Sequence, residues 1–473
     1  MNVLSVRPSA WIDHPRGNNI RFLLYSHDSF GLGHVRRVLS LATHFTAALP
    51  DVEILIVTGS PLAHSFALPP RTDYVKLPAV TKSDTGAYRA RSLDLEFATI
   101  RNLRAALLME TARTYRPDVF LVDHTPQGLK GEVLPTLAML RNEQPQCLRV
   151  LGLRDIIDAS HVTRRTWREE RIYHTLEHGY DLILVYGSRE IYDIGAEYGL
   201  PRAVNERVRY CGYLDRVSEA LTNDATPGTS SDTSAPRDAW SPSGGPLVAL
   251  TAGGGGDGFA LMRAYLTGLK SLPSIPFTSV VLTGPLMDET EQRELRELAA
   301  TLPPEKVRVE SFLPDPLSLL RRADLVVAMA GYNTTCELLA LRQRVLLVPR
   351  TTPRQEQLIR ASLLAERGLV RMLHPDLLTP GRLIESVEES LTRPRPMAHQ
   401  LTAAGIAFEG QEVACEAILV GLNRLRSGAI DIGARRSEPN RRRLRLVEDG
   451  LVLHEFPVGT LSHWQPKVAV GAD

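Results

Sequence analysis

Ala330-Gly331-Tyr332-Asn333-Thr334-Thr335-Cys336-Glu337-Leu338-Leu339-Ala340 follows the apolar run DLVVAMA (324–330) and precedes a second one, RVLLVP (344–349). A buried run, a glycine turn, a helical pattern and another buried run make one repeat of a parallel β/α sheet. Upstream the rhythm continues through PLVALTA (246–252), SVVLTG (279–284) and VRVE (307–310). The first part of the chain has the same rhythm, with IRFLLYS (20–26), VEILIVT (52–58), DVFLVD (118–123), LRVLGL (148–153) and DLILVY (181–186). His34–Ala48 reads as a helix, because Val35, Val38, Leu39 and Ala42 fall on one face. Short apolar strands alternating with helices predict mostly parallel sheets covered on both faces.

Composition divides the chain. The segment 222–245, TNDATPGTSSDTSAPRDAWSPSGG, is too polar to bury its own surface and reads as a linker or insertion. The expected organisation is an extension (1–19), a first β/α half (20–221), the linker (222–245), a second β/α half (246–425) and a basic tail (426–473). The helical stretch Gln411–Arg424 is expected to close the second half. In the tail, LRLVEDGLVLHEF (444–456) reads as a hairpin turning at Glu448-Asp449-Gly450. Its arginine run is either a solvated arm, the simpler reading, or a contact for anionic lipid or an anionic acceptor.

The chain has 473 residues, of which 43% are hydrophobic and 23% charged, with a formal net charge of +1. That is ordinary globular composition and gives no reason to expect a nucleic-acid partner. Cys147, Cys211, Cys336 and Cys415 lie far apart, which argues against a disulfide framework or a zinc site. The first residues lack the apolar core of a signal peptide. No apolar run reaches the roughly 18 residues of a membrane span. A cytoplasmic protein is expected, with peripheral contact at the inner face of the membrane left open.

Three segments can carry chemistry. In Phe30-Gly31-Leu32-Gly33-His34-Val35-Arg36-Arg37, Gly31 and Gly33 let the chain turn sharply out of a strand, and His34 enters the first helical turn at the sheet's C-terminal edge. An imidazole there can take a proton from a hydroxyl at neutral pH. Arg36 and Arg37 oppose the helix dipole, and a broken local rule often marks a site. In Gly253-Gly254-Gly255-Gly256-Asp257-Gly258, successive main-chain N–H groups can line a phosphate cradle. No Gly-Lys-Ser/Thr follows, so this is not a P-loop. In the third segment, Asn333 and Thr334 open a helix and Glu337 can accept two hydroxyls, as from a ribose. Glu356 and Gln357 open the next helix, after Val348-Pro349-Arg350, and can bind sugar hydroxyls. Each carboxylate alone could simply stabilise its helix. Asp28, Asp123, His124, Arg154 and Asp155 also follow strands, where site residues collect; Asp155 could equally cap the next segment.

Together these segments resemble the GT-B enzymes, and among them the peptidoglycan N-acetylglucosaminyltransferase that glycosylates lipid I. The likeness to bacterial glycosyltransferases of that superfamily runs from about Arg21 to Leu422, through SHDSFGLGHVRR, VDHTPQGLKGE, GLRDIIDAS, AGGGGDG and MAGYNTTCELL…VPRTTPRQEQLIRA. It implies an α/β fold of two Rossmann-like domains facing across a cleft, the first holding a hydroxyl acceptor and the second a nucleotide-diphosphate sugar, UDP-linked by preference. By motif match Glu337 would bind the ribose, Glu356 and Gln357 the sugar, and Gly253–Gly256 the diphosphate. His34 would be the base of an inverting transfer, with no metal and no cofactor beyond the donor. The family pattern at the sugar site is Gln-Gln, and here it is Glu356-Gln357, which leaves the sugar open. The GLGHVRR loop is also similar to that of the sugar-nucleotide hydrolase of pseudaminic acid synthesis. Hydrolysis or epimerisation of a nucleotide sugar is therefore the main alternative, and a non-catalytic sugar-nucleotide-binding subunit a third.

Overall fold

The computed structural model describes residues 19–27, 33–82, 88–215, 217, 240, 245–313 and 316–427, with two further strands at 444–448 and 451–456. Asp28, Gly31, nearly all of the 222–245 segment and most of the basic tail lie outside the described residues. The chain divides into two compact units, Met1–Asn423 and Arg424–Asp473.

In the first half of the larger unit the strands are β1 (Ile20–Ser26), β2 (Val52–Thr58), β3 (Thr72–Lys76), β4 (Val80–Lys82), β5 (Tyr88–Ala90), β6 (Val119–Asp123), β7 (Leu148–Arg154), β8 (Leu182–Tyr186) and β9 (Val208–Tyr210). Seven of them form a parallel sheet in the order β3-β2-β1-β6-β7-β8-β9, while β4 and β5 pair antiparallel to each other. Phe22, Leu23, Leu24 and Tyr25 of β1 are wholly buried, as a central strand covered on both faces requires. The edge strands β3 and β9 went unread in the sequence because they are short and half-exposed, with no continuous apolar run. On the helix Gly33–Ala48 the buried face is Val35, Val38, Leu41, Ala42 and Phe45; Leu39, expected on that face, is only half-buried.

The second half has β10 (Leu247–Thr251), β11 (Thr278–Leu282), β12 (Val307–Glu310), β13 (Leu325–Ala328), β14 (Val345–Leu347) and β15 (Arg371–Met372). They form a parallel sheet in the order β12-β11-β10-β13-β14-β15. Its core joins Val248, Leu250, Met262, Tyr265, Leu325 and Leu346. Both sheets reverse strand order beside their first strand, between β1 and β6 and between β10 and β13. In open α/β sheets the ligand crevice opens at such switch points, outside the C-terminal ends of the strands. The loops after β1, β10 and β13 are the three segments singled out in the sequence.

One expectation fails. The helix Gly410–Arg426 does not close the second half; its residues up to Asn423 return to the first. The Gln411 side-chain amide donates to the Ser40 hydroxyl (2.9 Å) and to the Asp215 carbonyl (2.8 Å), and its oxygen accepts from the Asp215 N–H (2.9 Å). A Cβ at Gly421 would sit 3.0 Å from the Leu148 side chain, so glycine permits the close approach of this helix to β7. Helical periodicity shows that a face is apolar and is silent about which sheet it covers. In the smaller unit, Leu444–Glu448 (β16) and Leu451–Phe456 (β17) pair antiparallel, as the hairpin pattern predicts. Among the described residues no helix is long and apolar enough to cross a membrane.

Candidate active site

The site is built where two helix N-termini meet, those of Gly33–Ala48 and Tyr332–Ala340. The Asn333 side-chain amide donates to the Gly33 carbonyl at 3.2 Å, across the cleft between the two sheets.

His34 stands in the first turn of its helix with its side chain 16% exposed. Its Nδ1 lies 2.6 Å from Oδ2 of Asp123, the last residue of β6. Arg37, one turn along the helix, donates from Nε to Oδ1 of Asp123 (3.1 Å) and from Nη2 to Oδ2 (2.7 Å). Arg37 Nη2 also lies 2.9 Å from His34 Nδ1. An ionised carboxylate only accepts, so in the neutral ring the proton between His34 and Asp123 belongs on Nδ1, which leaves the lone pair on Nε2. Asp123 is wholly buried. Burial pushes its carboxyl upward, but Arg37 and His34 outweigh that and bring it down to about 2. Arg37, whose place in the first helical turn marked this segment as a site, is thus committed to a carboxylate. That pairing is what lets a cation occupy the first helical turn.

The glycine loop after β10 is shaped by its backbone. Gly253 and Gly255 have φ of 64° and 96°, and a Cβ at Gly255 would lie 2.0 Å from the Thr283 carbonyl oxygen. Gly253 and Gly256 are exposed. Beside Gly253 stands the Thr334 hydroxyl, 3.6 Å from where a Cβ would be. Asp257 pairs with Arg350 Nε (2.8 Å), and Arg350 Nη2 pairs with Oε1 of Glu356 (2.8 Å), so one arginine ties the glycine loop to the helix Glu356–Glu366. The other Glu356 oxygen, Oε2, is buried with no hydrogen-bond partner. The Gln357 side-chain oxygen accepts from the Arg350 N–H at 3.3 Å. Glu337 is buried in its helix.

The two halves are clamped beside the site. Asp155, a residue past β7, takes both Arg360 Nε (2.9 Å) and Nη2 (2.5 Å), and both partners are buried. The Asp155 carboxylate, read in the sequence as a site residue or a cap, is occupied by this arginine. The Asp158 carboxylate accepts from the Gln355 N–H at 2.9 Å. The Tyr332 ring lies between two cations, with the guanidinium of Arg37 5.6 Å from its centre and that of Arg360 at 5.8 Å. Sequence reasoning missed Tyr332 and Arg360, which lie inside the quoted segments but gain roles only through residues far away in the chain. It also missed His27, whose ring centre is 4.3 Å from that of His34. Among the described residues no three His, Cys, Asp or Glu side chains are placed to share a metal ion.

Two parallel sheets with facing switch points define the class, a GT-B fold. Within it, residues 250–411 match the glycosyltransferase family 28 C-terminal domain. The UDP-N-acetylglucosamine–N-acetylmuramyl-(pentapeptide) pyrophosphoryl-undecaprenol N-acetylglucosamine transferase of an Exiguobacterium species is 27% identical over 159 residues, 33% of this chain and 43% of that protein. The match thus spans less than half the length of that relative. MurG of Acinetobacter baumannii superposes over 84% of this chain and 99% of its own, with a TM-score of 0.52 and 12% identity. The UDP-GlcNAc 2-epimerase of Neisseria meningitidis, bound to UDP-GlcNAc, superposes over 85% of this chain and 100% of its own, with a TM-score of 0.57 and 13% identity.

Two predictions follow from the buried pairs. Arg360→Met leaves the Asp155 carboxylate uncompensated and is expected to cost about 3–5 kcal/mol in urea unfolding, whereas adding Asp155→Leu recovers most of it. An Arg360→Met variant as stable as the parent would mean that the clamp contributes nothing. The second prediction concerns acid. Asp123 sits near 2 in the folded chain against an ordinary 3.8, so its contribution is full above about pH 4 and is lost as pH falls through about 2. The stability gap between the parent and Asp123→Asn, followed by urea midpoint, should be constant at neutral pH and should close between pH 4 and 2.

Proposed function

We propose that this chain transfers a sugar from a nucleotide-diphosphate sugar to a hydroxyl acceptor, with inversion, and that His34 is the base. One observation carries the reading. A histidine held through Nδ1 by a buried carboxylate keeps Nε2 free at the switch point of the first sheet, opposite a second half that matches a glycosyltransferase domain.

The acceptor hydroxyl gives its proton to Nε2 as its oxygen bonds to the anomeric carbon. The bond from that carbon to the diphosphate oxygen breaks, and the diphosphate leaves with the electron pair. Asp123 stabilises the imidazolium that forms, and Arg37 fixes the carboxylate. The Gly253–Gly256 loop and the helix start at Asn333 and Thr334 offer main-chain N–H groups to the leaving diphosphate. Glu337 accepts the ribose hydroxyls. Glu356, with one oxygen on Arg350 and the other unpartnered, accepts a donor-sugar hydroxyl beside Gln357. Asp257 holds Arg350 in place for this. The Exiguobacterium relative, by its name, uses a UDP-sugar and a pyrophosphoryl-undecaprenol acceptor. A UDP-sugar is the donor we favour here, and a lipid-linked acceptor of that kind would bring the protein to the inner face of a membrane.

The test is a panel of nucleotide sugars incubated with the purified chain and followed by phosphorus NMR, without acceptor and then with hydroxyl acceptors. Transfer requires that one donor bind intact and be consumed only when an acceptor is added. Release of nucleotide without any acceptor would instead make the chain a sugar-nucleotide hydrolase. His34→Ala should lower turnover by about 100-fold or more while leaving donor affinity within a few-fold; unchanged turnover would remove His34 as the base. Glu337→Ala should raise the donor KM by about 10- to 100-fold, through loss of charge-assisted hydrogen bonds, with a smaller change in kcat. An unaltered KM would take Glu337 out of the ribose site.

A further inference from the structure

Among the described residues at the C-terminal edge of the first sheet the charges do not balance. Asp123 has Arg37 and Asp155 has Arg360. Between them in the fold, Arg154 ends β7, and among the described residues it has no carboxylate within ion-pair distance. Its Nε is buried without a hydrogen-bond partner. Next to it, His124 follows β6 and donates its main-chain N–H to the Gly152 carbonyl at 2.9 Å. The His124 side chain is buried, and neither ring nitrogen has a partner. A buried polar atom left unpaired costs about 1–3 kcal/mol, and three lie together here, two of them donors, because a neutral imidazole donates from one nitrogen and accepts at the other.

The surroundings are cationic. Burial and then Arg37 press Arg154 down to about 10; Arg354 and Arg360 act the same way, and Glu356 opposes them. Burial and then Arg154 hold His124 well below the ordinary histidine range, with His34, Arg354 and His27 adding to the effect. Arg354 belongs to the second half, in the loop whose next residue, Gln355, bonds to Asp158 of the first. The His124 ring is parallel to that of His34 within 4°, with centres 6.3 Å apart.

We propose that His124 and Arg154 form an oxyanion-binding subsite beside His34, with Arg354 as a further donor from the second half, and that its ligand is a phosphate or carboxylate group of a substrate. Buried polar atoms without partners, two of them donors, beside a cation with no carboxylate at ion-pair distance among the described residues, are completed by a group carrying several acceptor oxygens and a negative charge. The ring spacing puts such a group within one small substrate's length of His34. Two sources share this chemistry, the diphosphate of a nucleotide donor and an anionic group on the molecule that brings the hydroxyl. Anion binding here does not depend on sugar transfer, so it remains measurable if that reading fails.

Inorganic phosphate is titrated onto the full chain, with the His124 ring resonances followed by NMR and the affinity taken from their saturation. Phosphate is expected to shift the His124 signals saturably. Arg154→Gln should weaken that binding by about tenfold or more, while Arg154→Lys retains most of it. No saturable shift at His124, or equal affinity in the parent and Arg154→Gln, would overturn the proposal. If Arg154→Gln fails to fold, Arg354→Gln carries the test: weaker phosphate binding at His124 supports the subsite and unchanged binding overturns it. UDP then separates the sources. Displacement of phosphate from His124 assigns the subsite to the donor diphosphate, and simultaneous binding of both assigns it to the acceptor.

Discussion

The bidentate pair between Asp155 and Arg360 is the constraint on which the site depends. Each half has its own sheet, but the site is not contained in either. His34 and Asp123 come from the first, the glycine loop and Glu356 from the second, and the relation between them is fixed by a buried ion pair at the sheet edge. Such a pair gains little net stability over an apolar contact of similar shape. It does specify geometry, because a guanidinium fork and a carboxylate meet in few orientations. The Arg360 Nη1 donates at 2.7 Å to the carbonyl of Ala330, just before the helix Tyr332–Ala340. The clamp therefore positions the very turn that presents Asn333 and Thr334.

The same logic recurs on the first side of the cleft. Asp123 needs Arg37 to stay ionised without water, and His34 then has a fixed acceptor for one nitrogen. Tyr332 joins the two networks through its ring faces, with one arginine from each half against it. Charge, ring and carboxylate form a continuous chain from β6 to the helix Glu356–Glu366, passing from one sheet to the other. This has a cost. The tyrosine hydroxyl and one oxygen of Glu356 are buried without partners. Unsatisfied atoms of that kind are uncommon away from places built to receive a ligand.

Much of this architecture was legible in the sequence because parallel sheets write themselves as short apolar runs. β1, β2 and β10 are continuous and buried, and their limits fall within a residue of the runs that mark them. β15, two residues long, carries no such signature. The glycine loops were legible because consecutive glycines have few uses besides close approach and left-handed backbone. The candidate site was legible only in halves. The arginine at position 37 violates the helix-dipole rule, and that violation hinted that something compensates it, but Asp123 lies 86 residues away and nothing local names it. Arg360 gave no hint at all, since an arginine inside an amphipathic helix is ordinary until a carboxylate 205 residues distant is found against it. The misassigned helix Gly410–Arg426 has the same cause.

That returning helix also changes what kind of object the second half is. The chain leaves the first half near Tyr213 and comes back at Ala407, and these two crossings lie side by side, the Tyr213 N–H donating to the Ala407 carbonyl at 2.8 Å. Topologically the second lobe is an insertion held at both ends, like a drawer on paired rails rather than a bead on a string. The clamp of Asp155 and Arg360 is a third tie between the lobes, made by side chains rather than by the chain itself.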